Sequence, residues 1–202
     1  MPELPEVETT KRGIEPYLHN QSITKILVRQ KSLRIPFNDN LKKHITQVKI
    51  KNIKRRAKYI VIEFVNEYSM VIHLGMTGNL RASQQKKFLK HDHIIFYLES
   101  GNSLIFNDVR RFGLIQIYKT KDSFYLLDNN GPDPFEKKAD VDYFYNRIKN
   151  SSASIKSILL NHKIISGIGN IYASEILFST NISPLRMGRD CLLYTSDAAD
   201  EP

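Results

Sequence analysis

A single cysteine, Cys191, stands among 202 residues, so no disulfide can close within the chain. A cytoplasmic setting is expected from that usage. No Cys-x-x-Cys pair occurs, and no cysteine-based metal site is expected in this chain. No run approaches the roughly 18 consecutive apolar residues that would cross a bilayer, so no membrane partner is expected. The opening MPELPEVETT carries three glutamates in its first eight residues and no apolar signal region. Internal repeats and low-complexity stretches are also missing. Apolar residues at 41% and charged residues at 25% exclude a disordered chain, a collagen-like chain and a membrane bundle. The length allows one domain or two small ones, with roughly 70% of the unfolded surface buried on folding.

What is plentiful is positive charge. Thirty Lys and Arg against 21 Asp and Glu give a net +9. From Asp190 onward there are four acids and no bases, so residues 1–189 set 30 bases against 17 acids, a net +13. That bias suggests a polyanionic partner, most simply a nucleic acid. A solvated lysine-rich surface is the competing reading.

Along the chain the pattern changes twice. Residues 2–19 read as a helix with Leu4, Val7, Ile14 and Leu18 near one stripe, prolines and acids at its start. Between 20 and 118 lie short segments rich in β-branched and aromatic residues: ITKILVR, QVKIKNIK, YIVIEFV, SMVIHL, HIIFYLE, SLIFND and LIQIYK. They predict an antiparallel β-sandwich or barrel. From Asp140, VDYFYNRIKN, SIKSILLN and NIYASEILFST take helical spacing, after a turn-rich NNGPDPFEKK at 129–138. The expected class is α+β: a helix and β-sandwich over 1–130, then a helical domain over 131–189. CLLYTSDAADEP loses the basic bias and has no helical stripe. Residues 190–202 are read as a non-native tail, with the natural chain continuing differently.

Pro2 is the first chemical candidate. Removal of Met1 would leave a secondary α-amine, with a pKa near 7.7–8 against about 10.4 for lysine. Such an amine can attack an aldehyde-level carbon and give an iminium, an electron sink. Glu3 and Glu6 lie within a turn of it and offer a proton carrier and an orienting group. Taken alone, a Pro-and-Glu helix start is the commoner meaning of this string.

MPELPEVETTKRGIEPYL resembles the N-terminus of bacterial formamidopyrimidine-DNA glycosylases. The likeness continues in RRAKYIVIEF, HLGMTGNLR, KHDH, DVRRFG, NNGPDPF and GIGNIYASEILF, in that order, and spans roughly 1–188. Leu4 and the RRFG string favour the oxidised-purine branch over endonuclease VIII. The resemblance implies a sandwich followed by a helix-two-turns-helix domain, here partial, and a monomer acting on damaged double-stranded DNA. It implies excision of 8-oxoguanine and formamidopyrimidines, then strand cleavage by β-elimination through a proline Schiff base (β,δ in the complete family enzyme). Pro2 would be the nucleophile, Glu3 the proton donor to the sugar ring, Glu6 an orienting group. Lys58, read as a strand-edge lysine pointing into a cleft, would contact phosphate and assist elimination. Arg55 and Arg56 are read as solvated charge.

A methionine in a turn is unusual, and an apolar loop tip suits insertion into a base stack. An enzyme that extrudes a base must fill the gap it leaves. By resemblance Met76, Arg110 and Phe112 form that wedge. His91, Lys156 and Asn170 would bind phosphate beside Arg110, with Asn170 also able to cap its helix. The family ends in a zinc finger of two Cys-x-x-Cys pairs. One zinc is expected in the full-length family member and none here. The chain is therefore expected to fold in its β domain yet excise little, with abasic-site cleavage the more robust activity. A non-catalytic basic DNA-binding module is the remaining alternative.

Overall fold

The computed structural model describes residues 2–84, 87–122 and 124–191. The chain divides into two compact units, one up to Asp128 and one from Asn129.

The first unit begins with α1, Leu4–Leu18. Glu3 is its N-cap, and a reciprocal box closes the first turn: the Glu3 carboxylate accepts from the Glu6 N–H, and the Glu3 N–H donates to Glu6 Oε2 at 2.9 Å. Pro5 falls at the second helical position, where a missing N–H costs nothing. The buried residues of α1 are the predicted Leu4, Val7, Ile14 and Leu18.

Eight strands make two four-stranded antiparallel sheets. One runs β1 (Ile23–Val28), β6 (Asp92–Leu98), β7 (Ser103–Asp108), β5 (Gly78–Ser83). The other runs β2 (Ile50–Arg56), β3 (Tyr59–Phe64), β4 (Tyr68–His73), β8 (Leu114–Lys119). Ile62 and Met70 of one sheet, Phe96 and Phe106 of the other, and Val7 and Ile14 of α1 share one core. Each such side chain contributes about 1.5–3 kcal/mol by leaving water. β5 escapes a pattern reading because GNLRAS opens on turn residues. It is a strand because Gly78 to Ser83 pair with Asp108 to Ser103 of β7. A short helix α2, Tyr125–Asp128, closes the unit.

The second unit holds α3 (Val141–Ile148), α4 (Ile155–Leu159) and α5 (Asn170–Ser179). Asp140 and Ser154 cap the first two by accepting from the Tyr143 and Ser157 N–H groups. Ile148, Ile155, Ile158, Leu159, Ala173 and Leu177 form its core. The expected α+β architecture is present. Met1 and the tail from Leu192 to Pro202 lie outside the described residues.

Candidate active site and nucleic-acid interface

The start of α1 sets up the first cluster. Pro2 precedes the cap, and Glu3, only 1% exposed, is held by the box just described. Glu6 is exposed and fixes the backbone of Glu3. α1 packs against β2, β3 and β5, which brings the β2–β3 hairpin beside this terminus.

Lys58 lies in the two-residue turn of that hairpin, not on a strand edge: Arg56 pairs with Tyr59, and Ala57 and Lys58 make the reversal. The sequence hid the turn because it lacks the usual Gly or Asn. Ala57 takes the left-handed conformation instead, at φ +54°. Lys58 is half-buried, and burial pulls its ammonium below the ordinary lysine range, while the Glu3 and Glu6 carboxylates pull it back up. An amine position, a buried carboxyl and a lysine thus share one electrostatic neighbourhood.

Arg55 corrects the solvated reading. Its side chain is 12% exposed, and its Nε pairs with Glu8 Oε2 at 3.0 Å. Its guanidinium also donates to the Ala57 carbonyl at 3.0 Å. It ties α1 to the turn that carries Lys58. Burial would raise the Glu8 carboxyl, but hydrogen bonds from Arg12 and Arg55 overcome it and hold Glu8 below the usual range.

The second cluster is two adjoining loops. Met76 sits at the turn between β4 and β5, 42% exposed, and Phe112 is 44% exposed between β7 and β8. Neither belongs to the core. The Arg110 guanidinium lies 4.6 Å over the Phe112 ring. Gly75, at φ +66°, lets the loops touch: a Cβ there would stand 2.5 Å from the Gly113 nitrogen and the Phe112 carbonyl carbon. His91 is in the turn before β6, and its carbonyl accepts from the Asp108 N–H at 3.1 Å.

In the second unit Lys156 and Asn170 fall on one face. Lys156 Nζ donates to Ser174 Oγ at 3.1 Å, and Ser174 Oγ donates to the Asn170 carbonyl at 2.8 Å. Asn170 is the first helical residue of α5, and Gly169 is the N-cap. The capping role is therefore corrected, since the turn through Gly167, at φ +88°, delivers Gly169 to the cap position. Asn170 remains exposed.

Two family profiles match. Residues 1–115 fit the formamidopyrimidine-DNA glycosylase N-terminal domain, and 130–198 fit the formamidopyrimidine-DNA glycosylase H2TH domain. The chain belongs to the formamidopyrimidine-DNA glycosylase family. Among curated members it is 41% identical to the one from Wolbachia pipientis subsp. Culex pipiens over 191 residues, covering 94% of this chain and 70% of the relative. It is 42% identical to the Pasteurella multocida member over 185 residues, 91% of this chain and 68% of the relative. Lactococcus lactis Fpg in complex with DNA containing N7-benzyl-Fapy-dG superposes at a TM-score of 0.88 with 31% identity. That alignment covers 95% of this chain and 72% of the other. The same protein with DNA containing an abasic site gives 0.87 at 31% identity, covering 95% and 71%. Family membership makes the chain a DNA glycosylase by descent, in keeping with DNA repair.

Among the described residues no group of three or more His, Cys, Asp or Glu could hold a metal ion, and no second cysteine exists. No helix among them is long and apolar enough to cross a membrane.

Sequence reasoning passed over His73 and Asp108. His73 ends β4 with its Nδ1 accepting the Gly75 N–H at 2.9 Å, so its neutral form carries the proton on Nε2. Burial, then the charges of Arg34 and Lys58, push its pKa down to about 4. Its sequence signal was only its place at the head of HLGMTGNLR.

Proposed function

We propose that the chain cleaves abasic sites in duplex DNA by β-elimination through a Schiff base on Pro2, and excises oxidised purines from duplex DNA more weakly. The observation that carries this reading is the cluster at the start of α1: Pro2 next to a buried, doubly held Glu3, with Lys58 in the same field.

The Pro2 nitrogen attacks C1′, the glycosidic bond breaks, and the base leaves with its electron pair and takes a proton from water. The proton freed from Pro2 passes to the Glu3 carboxylate and on to the ring oxygen as the C1′–O4′ bond opens, leaving an iminium. The iminium acidifies C2′. Water takes a C2′ proton and the C–H electron pair moves to the iminium nitrogen as an enamine; the enamine then expels the 3′-phosphate from C3′ and leaves a conjugated iminium. Water then hydrolyses the conjugate and returns Pro2. Lys58 offsets the phosphate charge near this site. Met76, Arg110 and Phe112 fill the gap behind the extruded base, and His91, Lys156 and Asn170 bind phosphates. The partner is damaged double-stranded DNA, and the working form is a cytoplasmic monomer.

A nicking assay on matched duplexes tests the reading. Cleavage of an abasic duplex is expected, with 8-oxoguanine preferred over an oxidised pyrimidine. Preference for the pyrimidine would favour the endonuclease VIII branch. Failure to nick the abasic duplex would leave the non-catalytic binding module.

A further inference from the structure

Asp108 is 0% exposed at the end of β7, and five hydrogen bonds converge on it. Its Oδ1 accepts from the Thr77 hydroxyl at 2.6 Å and the Arg110 N–H at 3.2 Å, and its Oδ2 accepts from the Gly113 N–H at 2.8 Å. Its own N–H donates to the His91 carbonyl at 3.1 Å, and its carbonyl accepts from His93 Nε2 at 2.6 Å. The Arg110 N–H also reaches the Thr77 oxygen at 3.1 Å, so that hydroxyl both donates and accepts. One carboxylate therefore closes the 108–113 loop on itself and fastens it to the residue beside Met76. Arg111, at φ +59°, makes the reversal that the ring of bonds requires.

We propose that Asp108 and Thr77 are positioning residues that join Met76 to Arg110 and Phe112, so that the wedge enters DNA as one piece. The inference rests on the wedge reading above. Two separate loops would each lose side-chain freedom on insertion. Loops already clasped have lost it on folding. Their insertions are then coupled: displacing one tip displaces the other.

Thr77 offers the cleaner perturbation, because it is exposed while Asp108 is buried. Thr77→Val keeps the shape and removes the link; Thr77→Ser keeps the link. The probe is 2-aminopurine opposite an abasic-site analogue in duplex DNA bound to the full chain. Its fluorescence reports how fully the wedge unstacks the estranged base. Met76→Ala, Phe112→Ala and their double variant are measured in the parent chain and in the Thr77→Val and Thr77→Ser backgrounds. In the parent and in Thr77→Ser, the double variant's loss should fall short of the product of the single losses by about fivefold, as for residues acting as a unit. In Thr77→Val the losses should multiply to within about twofold. Thr77→Ala, measured the same way, replaces Thr77→Val if that variant unfolds. Coupling that persists once the hydroxyl is gone overturns the clasp and leaves the wedge standing. Single variants that change nothing overturn the wedge, and the clasp with it.

Discussion

Removing the Arg55 side chain should loosen the hairpin turn that presents Lys58. In Arg55→Ala the Nε bond to Glu8 and the donation to the Ala57 carbonyl, both 3.0 Å, are lost together. Hydrogen bonds to charged groups are worth about 1.5–3 kcal/mol when buried. Glu8 keeps Arg12 and 26% of its side chain is exposed, so the lower end applies. The expected cost is about 2 kcal/mol. In a unit of this size each kcal/mol moves the midpoint by roughly 4 °C, so the fall in Tm should be about 8 °C. It is read on the transition that carries the loss of β-sheet circular dichroism. The Glu8 carboxyl is depressed in the folded state, so its stabilisation is present above the unfolded glutamate pKa of about 4.3 and is lost as pH falls through the folded value. The gap between the two proteins should therefore narrow below about pH 4. Arg55→Lys should recover part of the Glu8 pairing and little of the Ala57 contact. A fall under about 2 °C at pH 7, or a gap that does not change in acid, would refute the idea that Arg55 fastens this turn.

His73 gives a second test of the same electrostatics. Its folded pKa of about 4 lies below the unfolded value near 6.5, so the unfolded chain binds the extra proton first as pH falls. Stability from this group should be intact above about pH 6.5 and decline by about 2–3 kcal/mol toward pH 4. His73→Gln should flatten that part of the urea-unfolding pH profile, and a profile unchanged by the substitution would contradict the buried neutral histidine. Lys156 probes the other unit. Each neutralised phosphate contributes a slope of roughly −0.9 to log affinity against log salt, so Lys156→Ala should make the slope shallower by about one. An identical slope would remove Lys156 from the DNA face.

The stripe Leu4, Val7, Ile14, Leu18 was legible because helical periodicity and burial coincide in α1. Most strands were legible for the same reason, since β-branched runs such as YIVIEF are buried on a sheet. Gly78–Ser83 was not, because its pairing with β7 outweighs its turn-like start. The exposure of Met76 and Phe112 fits what an apolar loop tip can do, but their grouping with Arg110 came from the family resemblance. Asp108 was missed because a carboxylate at a strand end looks like ordinary turn punctuation. Only the fold brings Thr77, Arg110, Gly113, His91 and His93 around it. Arg55 was misread because its partner, Glu8, lies 47 residues away in the chain.

The chemistry proposed here turns on the secondary amine of Pro2 acting as nucleophile. Borohydride reduction of the chain on an abasic-site duplex, followed by peptide mapping of the covalent adduct, measures it directly. DNA attached to Pro2 is expected, with no trapping by a form that retains Met1. Equal trapping by the Met1 form, or an adduct mapped to Lys58, would contradict it.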